Sequence, residues 1–262
     1  MLDIPPPHRA EPRLMMLELD HRDRILSRPS NLDFLLARRA HFLREHLNLG
    51  DRVLEVGAGY GIVSLYVDGV QLVTTDVRYA PWITTVADVM ALPFADEMFD
   101  AVVCLNVLHH VEYPRGALEE MVRVLHPGGR ILISEPHLSL TLRAVLLLAR
   151  HEYVDKRVDP FGTESCQTGR GSGLNGNNAI GDLLFDDMKT FCRAFPELSL
   201  EYHRLIECVT FLNSGGVEYR TVSVTLPRFM LEWLGVLDDW LARFPRLFPI
   251  CRQIVLRKRA IE

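Results

Sequence analysis

A short apolar run leads straight into three closely spaced glycines. The run spans Arg52 to Val56, and Gly57, Gly59 and Gly61 follow it at once. Its β-branched residues predict a buried strand. Glycine has no Cβ, so a strand that ends in spaced glycines and turns into a helix lets the backbone approach a ligand closely. The free N–H groups at the start of such a helix suit a carboxylate or a phosphate. The chain is therefore predicted to be an α/β protein with a ligand site at the end of this strand.

The spacing of the glycines separates two classes of ligand. A dinucleotide site usually has the pattern G-x-G-x-x-G, whereas Ile62 stands at the last position here. Glu55, two residues before Gly57, would repel a pyrophosphate but tolerates an ammonium group. These two residues favour S-adenosylmethionine, whose methionine end carries an amino group and a sulfonium, over a nicotinamide dinucleotide.

Two further acidic residues stand where an adenosine group would need them. Asp76 ends the next apolar run, nineteen residues after Gly57, and an acid at the end of the second strand can bind a ribose diol. Asp88 lies in the following loop, where its carboxylate can accept from the adenine amino group. Asn106 ends the next predicted strand, which begins at Phe99, and can bind the cofactor or orient a substrate.

These stretches together resemble a known enzyme family. Residues 53–61, Asp76, 87–94, 99–111 and 125–135 are similar, in order and spacing, to class I S-adenosylmethionine-dependent methyltransferases of the small-molecule type called methyltransferase type 11. The resemblance covers roughly residues 50–136, about a third of the chain. It implies S-adenosyl-L-methionine as cofactor and S-adenosyl-L-homocysteine as product. The cofactor-binding residues that it implies are Glu55, Gly57, Ala58, Gly59, Gly61, Asp76, Val77, Asp88, Val89 and Asn106.

The resemblance also implies a fold and a domain organisation. The fold is a Rossmann-like, doubly wound α/β fold with a seven-stranded sheet, helices on both faces and an antiparallel seventh strand. We predict an N-terminal arm over residues 1–30, which either covers the cofactor or is loosely held, and one methyltransferase domain over residues 31–262. An insertion over about residues 138–180 follows the fifth strand. Its loop at 162–178 is rich in Gly, Ser, Thr and Asn and has no hydrophobic period, which favours a substrate lid.

Composition narrows the class of protein and its partners. The net charge of −5 and the sequence pI near 6.1 argue against a nucleic-acid partner. No secretory signal and no apolar stretch long enough for a membrane span is visible. The five cysteines show no metal-ligand spacing, which predicts reduced thiols in a cytoplasmic enzyme without a metal. The sequence leaves a homodimer open.

Histidines near two strand ends are the candidates for proton transfer. If the acceptor is a hydroxyl, a general base helps its attack on the methyl group, and histidine titrates near neutral pH. His109 and His110 follow the fourth strand, and His137 follows the fifth, at the edge where ligands bind in open α/β sheets. Adjacent side chains point in different directions, so one of the first two is expected to face the substrate. We predict His110 and His137 as catalytic residues.

The acceptor is predicted to be a small molecule, and three alternatives stay open. Segments 151–155, 177–180 and 183–185 resemble methyltransferases of sugar and surface-polysaccharide biosynthesis, which favours a hydroxyl of a sugar or natural product. An apolar stripe over 231–244 predicts an amphipathic helix that packs on the sheet or on the lid. The same stripe, with arginines beside it, would instead suit a lipid or quinone and leaves contact with a membrane surface open. The third alternative is a regulatory protein that binds S-adenosylmethionine without catalysing transfer.

Overall fold

A single mixed sheet forms the centre of the molecule. The computed structural model describes residues 29–149, 153–167, 176–216 and 223–260, together with residues 19, 22–23 and 25–27. Within these residues the sheet has seven strands. They are β1 (Arg52–Val56), β2 (Gln71–Asp76), β3 (Thr85–Val86), β4 (Phe99–Leu105), β5 (Leu125–Pro136), β6 (Leu198–Ile206) and β7 (Cys251–Lys258).

The strand order confirms the predicted fold. The strands lie in the order β3-β2-β1-β4-β5-β7-β6. The first five strands pair in parallel, and β7 runs antiparallel to both β5 and β6. The carboxyl ends of β1, β2, β4 and β5 therefore meet at one edge of the sheet, which is the edge where open α/β sheets bind ligands.

Helices cover both faces of this sheet. They are α1 (Ser30–His46), α2 (Val63–Tyr66), α3 (Pro114–Val124), α4 (Leu140–Ala149), α5 (Ile180–Phe185), α6 (Met188–Ala194), α7 (Val209–Leu212) and α8 (Arg228–Leu241). Side chains alternate between the faces along each strand. Val102 and Cys104 of β4 pack towards α3, α5 and α6, whereas Ala101 and Val103 pack against Phe42 of α1 and its neighbours. The two faces thus enclose separate apolar cores.

Some boundaries differ from those that hydrophobic periodicity predicts. One helix over Ile180–Phe195 is predicted, but the structure divides it at Asp187, whose side chain accepts from the N–H groups of Lys189 and Thr190 and starts a new helix. One strand over Leu198–Leu212 is predicted, but the strand ends at Ile206 and α7 follows. The third strand is missed, because two residues are too short to show a pattern.

The terminal arm and the insertion are described only in part. Most of the predicted arm, residues 1–18, and residues 168–175 of the predicted lid loop lie outside the described residues. Ile25 of the arm is 1% exposed and packs with Leu32 and Leu36 of α1. All five cysteines are free thiols. In the described part of the chain, no helix combines the length and the apolar character needed to cross a bilayer.

Candidate active site

The three glycines after β1 form a tight loop at the ligand edge of the sheet. Gly57, Gly59 and Gly61 all have positive φ, at 61°, 49° and 66°. A Cβ on Gly57 would lie 2.5 Å from Cγ2 of Val107, so only glycine fits there without displacement. A Cβ on Gly59 would meet nothing closer than 3.9 Å. The space on the Cβ side of Gly59 is therefore open, and a ligand can approach the loop there.

Asp76 fixes this loop to the end of β2. Its Oδ2 accepts from the N–H of Gly59 at 3.0 Å, and its Oδ1 accepts from the N–H of Arg78 at 2.9 Å. The residue is 8% exposed. The carboxylate thus lies beside the glycine loop at the end of β2, and its binding of a ribose diol stays a prediction.

Glu55 carries a buried oxygen without a hydrogen-bond partner among the described residues. The residue is 3% exposed, and its Oε2 makes no hydrogen bond. Burial, which the nearby charge of Asp76 reinforces, raises the pKa of Glu55 to about 8, although a hydrogen bond from the backbone of Val63 partly opposes the shift. A buried carboxyl group of this kind is stabilised by a cationic partner. The ammonium group of a bound methionine moiety has the required charge.

The other predicted cofactor residues divide into exposed and buried positions. Ala87 donates its N–H to the carbonyl of Asp76 at 2.9 Å, which holds the exposed Asp88 next to the end of β2. Asn106 is exposed at the end of β4 and has a φ of 56°. Its N–H donates to the carbonyl of Ser134 at 2.7 Å. Three more residues complete the predicted set: Ala58, which is 6% exposed, Val77, which is 63% exposed, and Val89, which is 8% exposed.

Trp82 and Arg22 cover part of the glycine loop, and sequence reasoning did not find them. Nε1 of Trp82 donates to the carbonyl of Gly59 at 2.7 Å. The guanidinium of Arg22 lies 4.0 Å above the ring of Trp82 and donates to the carbonyl of Tyr60. Desolvation lowers the pKa of Arg22. No periodicity marks either residue, since Trp82 lies in a loop and Arg22 belongs to the arm.

A buried histidine–glutamate pair lies where β4 and β5 end. Nδ1 of His109 is 2.7 Å from Oε2 of Glu135, and both side chains are almost completely buried. Oε1 of Glu135 accepts from the N–H groups of Val107 and Leu108, at 2.9 and 2.8 Å. The ring of His110, which is partly exposed, lies 4.1 Å from the ring of His109. The pair therefore fixes the turn that presents His110, the residue predicted from sequence.

His137 is held by contacts on both ring nitrogens. Its Nε2 donates to the carbonyl of Pro245 at 2.8 Å, and its Nδ1 lies 2.9 Å from Nη2 of Arg252 and 3.0 Å from Oδ1 of Asp182. Burial alone would raise the pKa of Asp182, but the hydrogen bond with His137 and the charge of Arg252 together lower it. His137 thus links the end of β5 to the segment after α8.

The same cluster has the spacing of a metal site. Ligand atoms of His137, Asp182 and Asp186 lie within 4.8 Å of one another. Nη2 of Arg252 already donates to both carboxylates, at 2.7 and 2.6 Å. The positive charge that a metal would supply is therefore provided by the guanidinium.

The described parts of the insertion pack on the turn that carries His109 and His110. The carbonyl of His109 accepts from the N–H of Asn177 at 2.7 Å and from Nε2 of Gln167 at 2.8 Å. The side chain of Asn177 is completely buried and makes two hydrogen bonds with the backbone of Asp155. Its Oδ1 accepts from the N–H of Asp155 at 2.9 Å, and its Nδ2 donates to the carbonyl of Asp155 at 3.0 Å. These polar groups are used inside the protein.

Comparison with known proteins identifies the part of the chain that forms this edge. Residues 54–133 match the family model described as "Methyltransferase domain". This stretch contains most of β1, the glycine loop, β2 to β4 and most of β5. The prediction of a class I S-adenosylmethionine-dependent methyltransferase domain of the small-molecule type is confirmed, and S-adenosylmethionine is the cofactor of this domain.

Curated relatives match the chain over a similar length. A protein of Renibacterium salmoninarum named "Demethylmenaquinone methyltransferase" is 43% identical over 98 residues, which is 33% of this chain and 41% of that protein. A protein of Mycobacterium bovis with the same name is 33% identical over 129 residues, which is 45% of this chain and 53% of that protein. The chain spans about half the length, or less, of these relatives.

Solved structures are similar over more of the chain but at lower sequence identity. A S-adenosylmethionine-dependent methyltransferase from Methanosarcina mazei is 16% identical, with a TM-score of 0.48, and the match covers 84% of this chain and 97% of that one. The N-methyltransferase NodS from Bradyrhizobium japonicum, in complex with S-adenosyl-L-homocysteine, is 14% identical, with a TM-score of 0.45, and the match covers 88% of this chain and 90% of that one.

Proposed function

We propose that the chain is an enzyme that transfers a methyl group from S-adenosylmethionine to a small-molecule acceptor. The observation that carries the proposal is the juxtaposition of Glu55, Gly59 and Asp76 at one sheet edge, inside the stretch that matches the methyltransferase family. A protein that binds the cofactor for regulation alone would share these residues, so turnover is the measurement that separates the two functions.

Each group of the cofactor has a residue suited to it. Oε2 of Glu55 would receive the methionine ammonium, the open backbone at Gly59 would face the methionine chain, and Asp76 would bind the ribose hydroxyls. Asp88 would accept from the adenine amino group. Bound there, S-adenosylmethionine would supply a methyl group on a positively charged sulfur, which is a good leaving group. Trp82 and Arg22 would shield this cleft from water.

We assign the removal of the acceptor's proton to the turn that carries His109 and His110. Glu135 fixes the ring of His109, and the ring of His110 packs on it at the end of β4. For an acceptor with a hydroxyl, such as a sugar or the quinol form of a quinone, we assign to His110 the removal of the hydroxyl proton. The acceptor oxygen then forms its bond to the methyl carbon, and the sulfur keeps the electron pair of the broken bond. His137 would act by positioning the segment after α8, through its hydrogen bond to Pro245.

A lipid-like acceptor of the quinone type is our first candidate. Two relatives are named demethylmenaquinone methyltransferases, and α8 exposes large apolar side chains near the acceptor edge. A hydroxyl of a sugar or natural product is the second candidate, because segments 151–155, 177–180 and 183–185 resemble enzymes that act on such acceptors. The side chains of Asn177 and Asp182, which could have contacted a sugar, are instead used in internal hydrogen bonds.

Calorimetry and a turnover assay test the proposal. The intact protein should bind S-adenosylmethionine and S-adenosylhomocysteine, and Asp76→Ala and Asp88→Ala should weaken both. Asp68→Ala, an exposed acid in the turn before β2, is the matched control and should bind as the wild type does. Formation of S-adenosylhomocysteine is then followed with lipid-soluble quinols and with a panel of sugars. Failure of the folded protein to bind the cofactor would refute the proposal.

A further inference from the structure

Helix α8 has apolar residues on two of its faces. Leu231, Gly235 and Leu241 are buried against the body of the protein. On the other side lies a second set, which we call the apolar face, and each of its members is 41% to 72% exposed. The apolar face consists of Phe229, Trp233, Val236, Trp240, Phe244 and Leu247. Its four members within α8 are separated by four, three and four residues, which places them in one stripe along the helix.

The orientation of α8 is fixed by its inner side. A Cβ on Gly235 would lie 2.5 Å from Nη1 of Arg38, so glycine lets the helix approach α1 closely. Asp239 pairs with Arg38 at 2.8 Å and with Arg204 of β6 at 3.0 Å. Asp238 is buried and accepts from the backbone N–H of Val209 at 2.7 Å, at the start of α7. These contacts hold the apolar face outwards.

The apolar face adjoins the acceptor edge of the sheet. His137, at the end of β5, donates to the carbonyl of Pro245, and Leu140 of α4 donates its N–H to the carbonyl of Arg246 at 3.0 Å. Helix α4 itself exposes Leu147 and Leu148, which are 76% and 84% exposed. Large apolar side chains thus extend from α8 towards the strand ends where the acceptor is expected.

Three arginines border the apolar face, although the chain as a whole is acidic. Arg228, Arg243 and Arg246 are exposed beside it, whereas the net charge of the chain is −5. Glu232 pairs with Arg228 at 3.1 Å, and Asp239 is occupied by two other arginines. Exposed tryptophan and phenylalanine bordered by arginine are typical of helices that lie in the interface of an anionic bilayer.

We propose that the apolar face docks on an anionic lipid bilayer and brings the acceptor edge to the membrane surface. The aromatic side chains would enter the boundary between headgroups and acyl chains, and the three arginines would contact lipid phosphates. A lipid-like acceptor would then reach the strand ends without crossing water. The delivery of an acceptor to the strand ends rests on the proposed methyltransferase function. The docking itself needs neither cofactor nor acceptor.

Vesicle sedimentation with the full chain tests the docking. Vesicles of phosphatidylcholine with about a third phosphatidylglycerol are compared with vesicles of phosphatidylcholine alone, at low and high salt. The wild type should bind the anionic vesicles, and high salt should weaken binding. The double variant Trp233→Ser/Trp240→Ser should lose about tenfold or more in affinity, as should Arg243→Gln/Arg246→Gln. Leu49→Ser is the matched control, since Leu49 is 88% exposed in the loop before β1.

Calorimetry with S-adenosylmethionine accompanies each variant. Unchanged cofactor binding by the double tryptophan variant shows that it is folded, and it separates loss of docking from loss of the methyltransferase function. Absence of vesicle binding by the wild type would overturn the proposal. It would also be overturned by equal vesicle binding of the wild type and the tryptophan variant. A third contrary result would be a dimer that dissociates on Trp233→Ser/Trp240→Ser while the wild type does not bind vesicles.

Discussion

The buried carboxyl group of Glu55 leads to a quantitative prediction about pH and stability. Its pKa rises from the ordinary 4.5 to about 8 in the folded protein, chiefly through burial. One pKa unit corresponds to 1.36 kcal/mol, so folding disfavours the ionised form of Glu55, relative to the neutral acid, by roughly 5 kcal/mol. Glu55→Gln keeps the shape of the neutral acid and removes the titration. The variant therefore isolates the contribution of this one group.

The sign of the effect follows from proton binding. Between about pH 4.5 and pH 8 the folded protein keeps a proton on Glu55 that the unfolded chain has lost. The stabilisation from this group is complete below the pKa of the unfolded chain. It is lost as the pH rises through the pKa of the folded protein. The free energy of unfolding of the wild type, relative to that of Glu55→Gln, should therefore fall by up to about 1.4 kcal/mol for each pH unit.

Urea unfolding without cofactor measures this difference. We expect a loss of about 3 kcal/mol, relative to Glu55→Gln, between about pH 5.5 and pH 7.5. Glu112→Gln changes an exposed glutamate and is the matched control, which should follow the wild type. Parallel pH profiles for the wild type and Glu55→Gln would refute the reasoning, because they would mean that Glu55 is already ionised in the folded protein.

The same group should release protons when the cofactor binds. With a pKa of about 8, Glu55 is about nine-tenths protonated at pH 7. An ammonium group on Oε2 would favour the carboxylate, so binding should release close to one proton. Calorimetry in buffers of different ionisation enthalpy measures this release, and Glu55→Gln should abolish it. Equal proton release by the two proteins would show that the ammonium group binds elsewhere.

Three further substitutions test other parts of the site. Gly57→Ala places a Cβ against Val107 at positive φ and should cost about 1–3 kcal/mol, measured by urea unfolding; an unchanged midpoint would contradict the close approach. His110→Ala should lower kcat about 10²-fold with unchanged cofactor affinity, and an unchanged kcat would exclude it as the base. Arg252→Met leaves the buried Asp182 without its guanidinium and should cost about 3–5 kcal/mol, of which the added change Asp182→Asn should recover a part.

The cofactor half of the fold could be predicted because its signals are local. The strand Arg52–Val56, the three glycines and Asp76 follow one another within 25 residues, and each has a backbone or charge requirement that few other residues meet. The doubly wound, seven-stranded sheet and its antiparallel seventh strand followed from the resemblance that these motifs carry. By contrast, the strand Thr85–Val86 has two residues, and its position is set by pairing with β2 rather than by its own sequence.

The acceptor side was harder to predict because its contacts join distant residues. The spacing places His109 and His110 at the correct edge, but Glu135, which lies 26 residues later, decides which ring is buried. His137 is at the predicted strand end, and its partner Pro245 lies 108 residues away. Nothing in the local sequence indicates either contact.

Periodicity alone also could not divide the apolar residues of α8. A stripe over 231–244 predicts an amphipathic helix with one buried side, but the structure buries Leu231 and Leu241 and exposes Trp233 and Trp240. Large apolar residues stand on both sides of this helix, and long-range contacts such as those of Gly235 and Asp239 with Arg38 show which side faces inwards.

The order of the elements along the chain assigns the two sides of the proposed site to two blocks of sequence. The strands that border the proposed cofactor site come from residues 52–105, whereas Glu135, His137, β6, β7 and α8 come later in the chain. The family match ends at residue 133, just before the second block begins. Substitutions after β5 would therefore be expected to change the proposed acceptor side or the apolar face of α8, and to leave the glycine loop and Asp76 in place.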